Sequence, residues 1–280
     1  MTRILVADDD RTTRLLLSET LRAQKYTIVC VEDGAAALKK MKASKFDLVL
    51  LDIWMPKMNG LEVLKKLRNA KKRPKVIVMT SDDAPETLLS AIREEAYQYV
   101  SKPVEPRALV SLVRETLEKK ADVAPIEVVS ATPTWVELLV SCSLAEAERI
   151  ENFMAHLKTG LSDDVQRAVG QAFHELLLNA VEWGGKLDAS RKVRISYLRA
   201  KRMLMYRIAD PGPGFKFTEL EHAAISHAPD SPTMHDEFRQ KKGLRPGGFG
   251  LLMTKASVDE LLYNEAQNEV VFVKYLDEQS

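Results

Sequence analysis

The sequence predicts two α/β domains in tandem, the first built on a doubly wound five-stranded parallel sheet. Three observations carry that prediction. From Arg3 to about Lys119, short apolar runs rich in branched residues alternate with longer stretches of helical periodicity. From Lys119 to Pro133 periodicity is lost, and Pro125 and Pro133 favour extended backbone before them. Beyond that stretch the order changes, with two helices in succession and then paired strands. The expected division is 1–120 for the first domain, 121–133 for a linker and 134–280 for the second.

The elements follow in order. Ile4–Ala7, Thr27–Val31, Phe46–Leu51, Val76–Thr80 and Tyr97–Val100 are too short for helices and read as strands. Arg11–Gln24, Ala35–Met41, Leu61–Asn69, Glu86–Glu95 and Arg107–Lys119 carry the apolar spacing of helices between them. In the second domain Trp135–Ser141 reads as a strand, Leu144–Leu157 and Ser162–Trp183 as helices, and Val193–Leu198 with Met203–Ile208 as paired strands. A polar stretch of about thirty residues follows, which by its length and its place between two glycine motifs is expected to be a lid. A short helix from Gly250 and two strands, Glu260–Asn264 and Glu269–Tyr275, complete the domain.

A chain of 280 residues is long enough for two domains with cores of their own. Its 45% hydrophobic and 29% charged residues fit ordinary globular protein, and a net charge of +1 argues against direct binding to nucleic acid or an anionic membrane. The segment Met1–Asp8 runs straight into a strand and then charge, unlike a secretion signal, and no apolar run approaches the ~20 residues of a membrane span. Cys30 and Cys142 fall in different expected domains, so neither a disulfide framework nor a thiolate metal site is indicated. The expected compartment is the cytoplasm.

In a doubly wound sheet the binding site lies at the carboxyl ends of the strands, which here carry Asp8, Asp9, Asp52, Thr80 and Lys102. Converging carboxylates repel one another unless a cation is present. A set of oxygen ligands favours magnesium, which keeps waters and leaves room for a phosphoryl oxygen. Asp52 is then suited to act as a nucleophile that becomes an aspartyl phosphate, with Lys102 neutralising the added charge and Thr80 donating its hydroxyl. One such Asp would ordinarily be a solvated loop cap. Five suitable residues in the right order select the chemical reading.

On these residues, positions 1–120 resemble a two-component response-regulator receiver domain, which has a flavodoxin-like fold. The resemblance implies that Asp8 and Asp9 form the acidic pair, with Asp9 binding magnesium directly, and that Asp52 is the phospho-acceptor. It further implies that Trp54 offers its backbone carbonyl to the metal, Thr80 is the switch hydroxyl, Tyr99 the aromatic that moves with it, and Lys102 the phosphate-binding lysine. The loop Asp52-x-x-Met55-Pro56-x-x-x-Gly60 and the step Lys102-Pro103, often cis in the family, belong to the same pattern. Trp54 and Asp82 stand where side chains control water access to the phosphate. The implied upstream partner is a sensor histidine kinase.

The second domain carries a different pattern. Glu175 and Asn179 are four apart on a predicted helix, hence on one face. An amide oxygen can bind magnesium while the neighbouring carboxylate takes a proton from an attacking hydroxyl or water. In Asp210-Pro-Gly-Pro-Gly214 the carboxylate can accept from an exocyclic adenine amine, while Gly212 and Gly214 admit close backbone approach. Gly248 and Gly250 open a helix whose free N–H groups suit phosphates, so the ligand expected is ATP with magnesium.

Together these motifs resemble a GHKL-type ATPase domain, an α/β sandwich shared by histidine kinases and gyrase, over roughly residues 132–277. Glu175-x-x-x-Asn179-Ala180 is closer to the anti-sigma-factor serine/threonine kinases of partner switching. That resemblance implies Glu175 as catalytic base, Asn179 as magnesium ligand, Asp210 as adenine contact, and Gly212, Gly214, Gly248 and Gly250 as nucleotide loops. It implies an anti-sigma-factor antagonist or a sigma factor as partner and leaves a homodimer open. The chain departs from the pattern at Trp183, where histidine is common. It also departs in the expected lid, where Lys242 and Arg245 are the candidates for the γ-phosphate contact beside Arg239 and Lys241. His174 is no zinc-protease ligand, because position 178 is Leu rather than a second histidine. Trp135 and Trp183 are expected in the core or at domain contacts. Three outputs are consistent with these residues: a kinase, an ATP-gated partner-binding switch without phosphoryl transfer, and an ATPase or histidine-kinase-like protein.

Overall fold

The computed structural model describes residues 2–68, 70, 73–81, 85–118, 126–132, 134–157, 160–214 and 250–276. The chain divides into two compact units, Met1–Pro125 and Ile126–Ser280. The first runs β1 (Arg3–Ala7), α1 (Arg11–Arg22), β2 (Thr27–Val31), α2 (Gly34–Ala43), β3 (Leu48–Asp52), α3 (Gly60–Leu67), β4 (Lys75–Thr80), α4 (Pro85–Arg93), β5 (Gln98–Ser101) and α5 (Pro106–Glu118). Its five strands are all parallel, in the order β2-β1-β3-β4-β5. Each helix therefore returns the chain to the same edge, and every strand delivers its last residue to one rim of the sheet.

The inner strands are continuously apolar because helices cover both of their faces. Ile4, Leu5, Val6 and Ala7 of β1 and Leu48 to Leu51 of β3 are fully buried. Leu17 and Leu21 from α1 and Leu109 and Val113 from α5 join this core, each large aliphatic contributing about 1.5–3 kcal/mol of transfer free energy. Polar caps fix where the helices begin. Asp10 accepts from Thr13 N at 2.7 Å, Asp33 from Ala36 N at 2.7 Å, and Asn59 forms a reciprocal capping box with Glu62.

The second unit runs β6 (Glu127–Ala131), β7 (Trp135–Ser141), α6 (Leu144–His156), α7 (Asp163–Asn179), a π-helical turn (Ala180–Gly184), β8 (Lys192–Ala200), β9 (Met203–Ala209), α8 (Gly250–Ser257), β10 (Glu260–Tyr263) and β11 (Glu269–Tyr275). Its sheet is antiparallel, ordered β10-β11-β9-β8-β7-β6, and α6 and α7 pack on it as a second layer. The strands alternate accordingly. In β9 Leu204, Tyr206 and Ile208 are buried while the residues between them are half-exposed. Phe173 of α7 meets Tyr206, which stacks on Phe272 of β11 at 4.8 Å between ring centroids.

The structure corrects two expectations. Residues 127–131, assigned to the linker, form the edge strand β6 paired with β7. An edge strand buries little and its register shifts between Val128 and Ser130, so it lacks the alternation that identifies a half-buried strand. The helix expected to run to Trp183 is α-helical only to Asn179 and then widens into the π turn. The expected lid falls on residues 215–249, outside the described residues.

Candidate functional site

The rim of the first sheet gathers the five predicted residues. Asp52 ends β3 and Thr80 ends β4, while Asp8 and Lys102 directly follow β1 and β5. Asp8 and Thr80 are fully buried, Asp52 is 4% exposed, and Asp9 faces solvent. Carboxylate oxygens of Asp8, Asp9 and Asp52 lie within 4.8 Å of one another, a spacing that fits one hard divalent cation such as magnesium. Lys102 Nζ lies 2.7 Å from Asp8 Oδ2 and 2.8 Å from Asp52 Oδ2. Its backbone N–H donates to Thr80 O at 2.8 Å, and Asp8 Oδ1 accepts from Asp10 N at 2.9 Å. Tyr99 is buried in β5, Trp54 is 58% exposed, and the Lys102–Pro103 bond is cis. Asp82 lies outside the described residues.

Burial raises the Asp52 carboxyl above its ordinary range, against the opposing hydrogen bond and charge of Lys102. Burial also works against the Lys102 charge, but its bonds to Asp52 and Asp8 outweigh that and raise the ammonium. A carboxyl raised in the folded state holds its proton more tightly there than in the unfolded chain. Its stability contribution is therefore complete below the unfolded value and is lost as pH rises through the folded one. Asp52→Asn cannot ionise. In magnesium-free buffer it is expected to melt above the parent at pH 7 and to lose that advantage as the pH falls below the raised Asp52 value. Thermal melts at neutral and acid pH check this, and a lower melting temperature for the variant at pH 7 would mean that Lys102 outweighs burial.

In the second unit α7 and its π turn reach both halves of the predicted nucleotide motif. A side chain on Gly250, the first residue of α8, would begin 2.0 Å from Glu175 Oε2, so the carboxylate rests directly on that backbone. At the other end a side chain on Gly184 would begin 2.1 Å from Asp210 Oδ1. Asp210 Oδ1 accepts from Gly212 N at 2.7 Å, and burial raises this carboxyl despite that bond and the Arg191 charge. Asn268 clamps the turn by accepting from Asp210 N at 2.9 Å and donating from Nδ2 to Gly212 O at 2.9 Å. Gly214 has a φ of 88° and lies against Ala266 O, a left-handed position with no space for a side chain. Glu175 and Asn179 are half-buried. Gly248, Lys242 and Arg245 lie outside the described residues.

These two constellations have counterparts in known proteins. Residues 4–114 match the response regulator receiver domain, and residues 142–274 match the histidine kinase-like ATPase domain. The DNA-binding response regulator MtrA of Mycolicibacterium smegmatis is 31% identical over 202 residues, which cover 71% of this chain and 87% of MtrA. The chain belongs to the response regulators. Escherichia coli regulatory protein AtoC is 36% identical to this response regulator over 270 residues, covering 94% of the chain and 52% of AtoC. The response regulator TrrA of Thermotoga maritima, solved in complex with Mg(2+)-BeF, is 40% identical over 42% of this chain and all of its own, with a TM-score of 0.39.

A receiver domain joined to a histidine kinase-like ATPase domain makes this a response regulator with an ATP-binding output domain. The receiver implies interaction with an upstream histidine kinase. Among the described residues no helix is long and apolar enough to cross a membrane.

Sequence reasoning missed the residues that support this response regulator's second site. Gly184, Asn268 and Arg191, which donates to Pro211 O, are separated from the motifs they hold, and only the Gly184-Gly185 pair after the helix gave any sign. Trp183, expected in the core or at a domain contact, is 42% exposed in the π turn beside Gly184, which excludes the core alone. Trp135 is half-buried in β7, and His174 is exposed, with its Nδ1 2.9 Å from Glu151 Oε1. Burial pushes the Cys142 thiol up to about 11, which makes it a poor nucleophile.

Proposed function

We propose that this response regulator is a phosphorylation-controlled serine/threonine protein kinase of the anti-sigma-factor type, acting in cytoplasmic partner switching. A sensor histidine kinase phosphorylates Asp52. Asp8, Asp9 and the Trp54 carbonyl complete the magnesium site with Asp52, Lys102 neutralises the phosphoryl charge, and Thr80 with Tyr99 registers it. In the output domain Asn179 holds magnesium, Asp210 takes the adenine amine, and Gly212, Gly214 and Gly250 admit the nucleotide backbone. Glu175 takes the proton of a partner hydroxyl as its oxygen bonds to the γ-phosphorus, and the bond to the β–γ bridging oxygen breaks to release ADP. The partner is an anti-sigma-factor antagonist, a sigma factor, or both.

The observation that carries this reading is Glu175 one helical turn before Asn179, with its carboxylate set on Gly250 at the start of α8. A base beside a metal-ligand amide serves transfer to a hydroxyl, whereas a purely nucleotide-gated binding module has no need of one. The test is capture of partners by the full chain with and without magnesium-ATP, followed by phosphosite mapping on the recovered proteins. Phosphoserine or phosphothreonine that depends on this chain supports the kinase. ATP-dependent capture without any transfer favours the binding switch.

The nucleotide site itself has a separate expected outcome. Asn179→Ala and Asp210→Asn, each in the full chain, should weaken magnesium-ATP binding roughly tenfold to a hundredfold. Loss of a metal ligand or a charged hydrogen-bond acceptor typically costs about 1.5–3 kcal/mol. Equilibrium titration checks this, and unchanged curves for both variants would remove these residues from the site.

A further inference from the structure

Beside the Asp52 rim, two turns of the receiver unit are fastened together by residues that no motif includes. Lys57 Nζ lies 2.6 Å from Asp33 Oδ2, and the Asp33 side chain is 4% exposed. The other Asp33 oxygen caps α2 through Ala36 N, so both oxygens are engaged. Lys57 has a φ of 64°, a left-handed conformation that a residue with a side chain seldom adopts without support from its surroundings. The backbones of the two turns also touch. A side chain on Gly34, the residue after Asp33, would begin 2.3 Å from Met58 O and 2.7 Å from Val63 Cγ2. The loop from Ile53 to Asn59 is thus held at its base by Gly60 N donating to Ile53 O at 2.8 Å, and near its tip by the bridge from Lys57 to Asp33.

That loop carries Trp54, whose backbone carbonyl the proposed function assigns to the metal. We propose that Lys57 and Asp33 are positioning residues for magnesium binding, holding the β3–α3 loop in the shape that presents residue 54 to the cation. The role rests on the reading of Asp8, Asp9 and Asp52 as a magnesium site. Neither residue belongs to the carboxylate group of Asp8, Asp9 and Asp52 that would hold the metal. A surface ion pair alone would add little to stability, so the effect is expected in affinity for the cation rather than in melting temperature.

Electrostatics makes the test decisive in sign. Removing the positive charge of Lys57 from the neighbourhood of a cation site favours the cation through space. Loss of loop positioning disfavours it. The full chain is titrated with magnesium chloride, followed by tryptophan emission and by the magnesium midpoint of labelling from acetyl phosphate. Lys57→Met is expected to raise both midpoints about fivefold or more, and Lys57→Arg to keep them within about twofold. Asp33→Asn, which retains a good N-cap side chain, should match Lys57→Met, and the double variant should be no worse than either single one. Thermal melts identify any variant that fails to fold, and Lys57→Arg with Asp33→Asn then carry the comparison. Midpoints unchanged or lowered in Lys57→Met overturn the positioning role. Unchanged midpoints in Asp9→Asn overturn the magnesium site itself, a failure seen independently of any change at Lys57.

Discussion

Asp52→Asn is expected to take up no label from acetyl phosphate and magnesium under conditions in which the parent chain is stably labelled. The structure supplies the reason in the surroundings of one carboxylate. Asp52 is nearly buried at the end of β3, its oxygens share a 4.8 Å cluster with Asp8 and Asp9, and Lys102 Nζ lies 2.8 Å from Oδ2. A carboxylate is a weak nucleophile, and attack on an anionic phosphodonor brings negative charge toward negative charge. Only a carboxylate flanked by a cation site and an ammonium has that repulsion offset. Asp8 is as buried and also meets Lys102, but its other oxygen is taken by Asp10 N, and Asp9 is exposed. Asparagine keeps the shape of Asp52 and removes the nucleophile, so the loss should be complete rather than graded. Phosphate-affinity electrophoresis or mass spectrometry after brief incubation reads it, and label on Asp52→Asn equal to that on the parent would sink the assignment.

Legibility in the sequence followed sequence distance and periodicity. The receiver core could be read because its strands are short apolar runs, and parallel strands deliver their final residues to one rim. Asp8, Asp52, Thr80 and Lys102 could therefore be placed together although they span almost a hundred positions. Glu175 and Asn179 were legible because four residues of α-helix return to the same face. The pair of Asp33 and Lys57 was not, since each is a common polar residue in a turn and nothing local states that the turns meet. A lysine in a loop carries no signal of its own, and the Lys57 side chain is 66% exposed even as its tip reaches a buried carboxylate. Strand β6 was hidden because an edge strand with a register shift shows neither continuous burial nor clean alternation. Asn268 and Arg191 were hidden for another reason. Both act through backbone groups of the 210–212 turn, and backbone partners leave no complementary residue type in the sequence.

Glu175→Ala should retain magnesium-ATP affinity within about a factor of three while transfer to a partner hydroxyl falls by roughly 10²–10⁴-fold, the usual contribution of a positioned general base. The two quantities separate because a base acts on the attacking group and makes its interaction in the transition state, whereas the roles proposed for Asn179 and Asp210 are on bound nucleotide. The geometry supports the separation. Glu175 lies on the α8 end of the α7 face, against Gly250, and Asp210 lies at the far end against Gly184, so truncating one leaves the other's surroundings intact. Removing Glu175 also leaves no packing void of consequence, because the side chain is only half-buried. Glu175→Gln sharpens the comparison, keeping volume and hydrogen bonding but not basicity, and should be as inactive as the alanine variant. Single-turnover transfer of γ-phosphate to captured partners, with nucleotide affinity measured in parallel, distinguishes the outcomes. Equal transfer by parent and both variants eliminates Glu175 as the base, and loss of ATP binding in both would instead make it a nucleotide ligand. Weakened binding confined to Asn179→Ala and Asp210→Asn, together with lost transfer confined to the Glu175 variants, is the division of labour that a kinase requires and that a nucleotide-gated binding module has no reason to display.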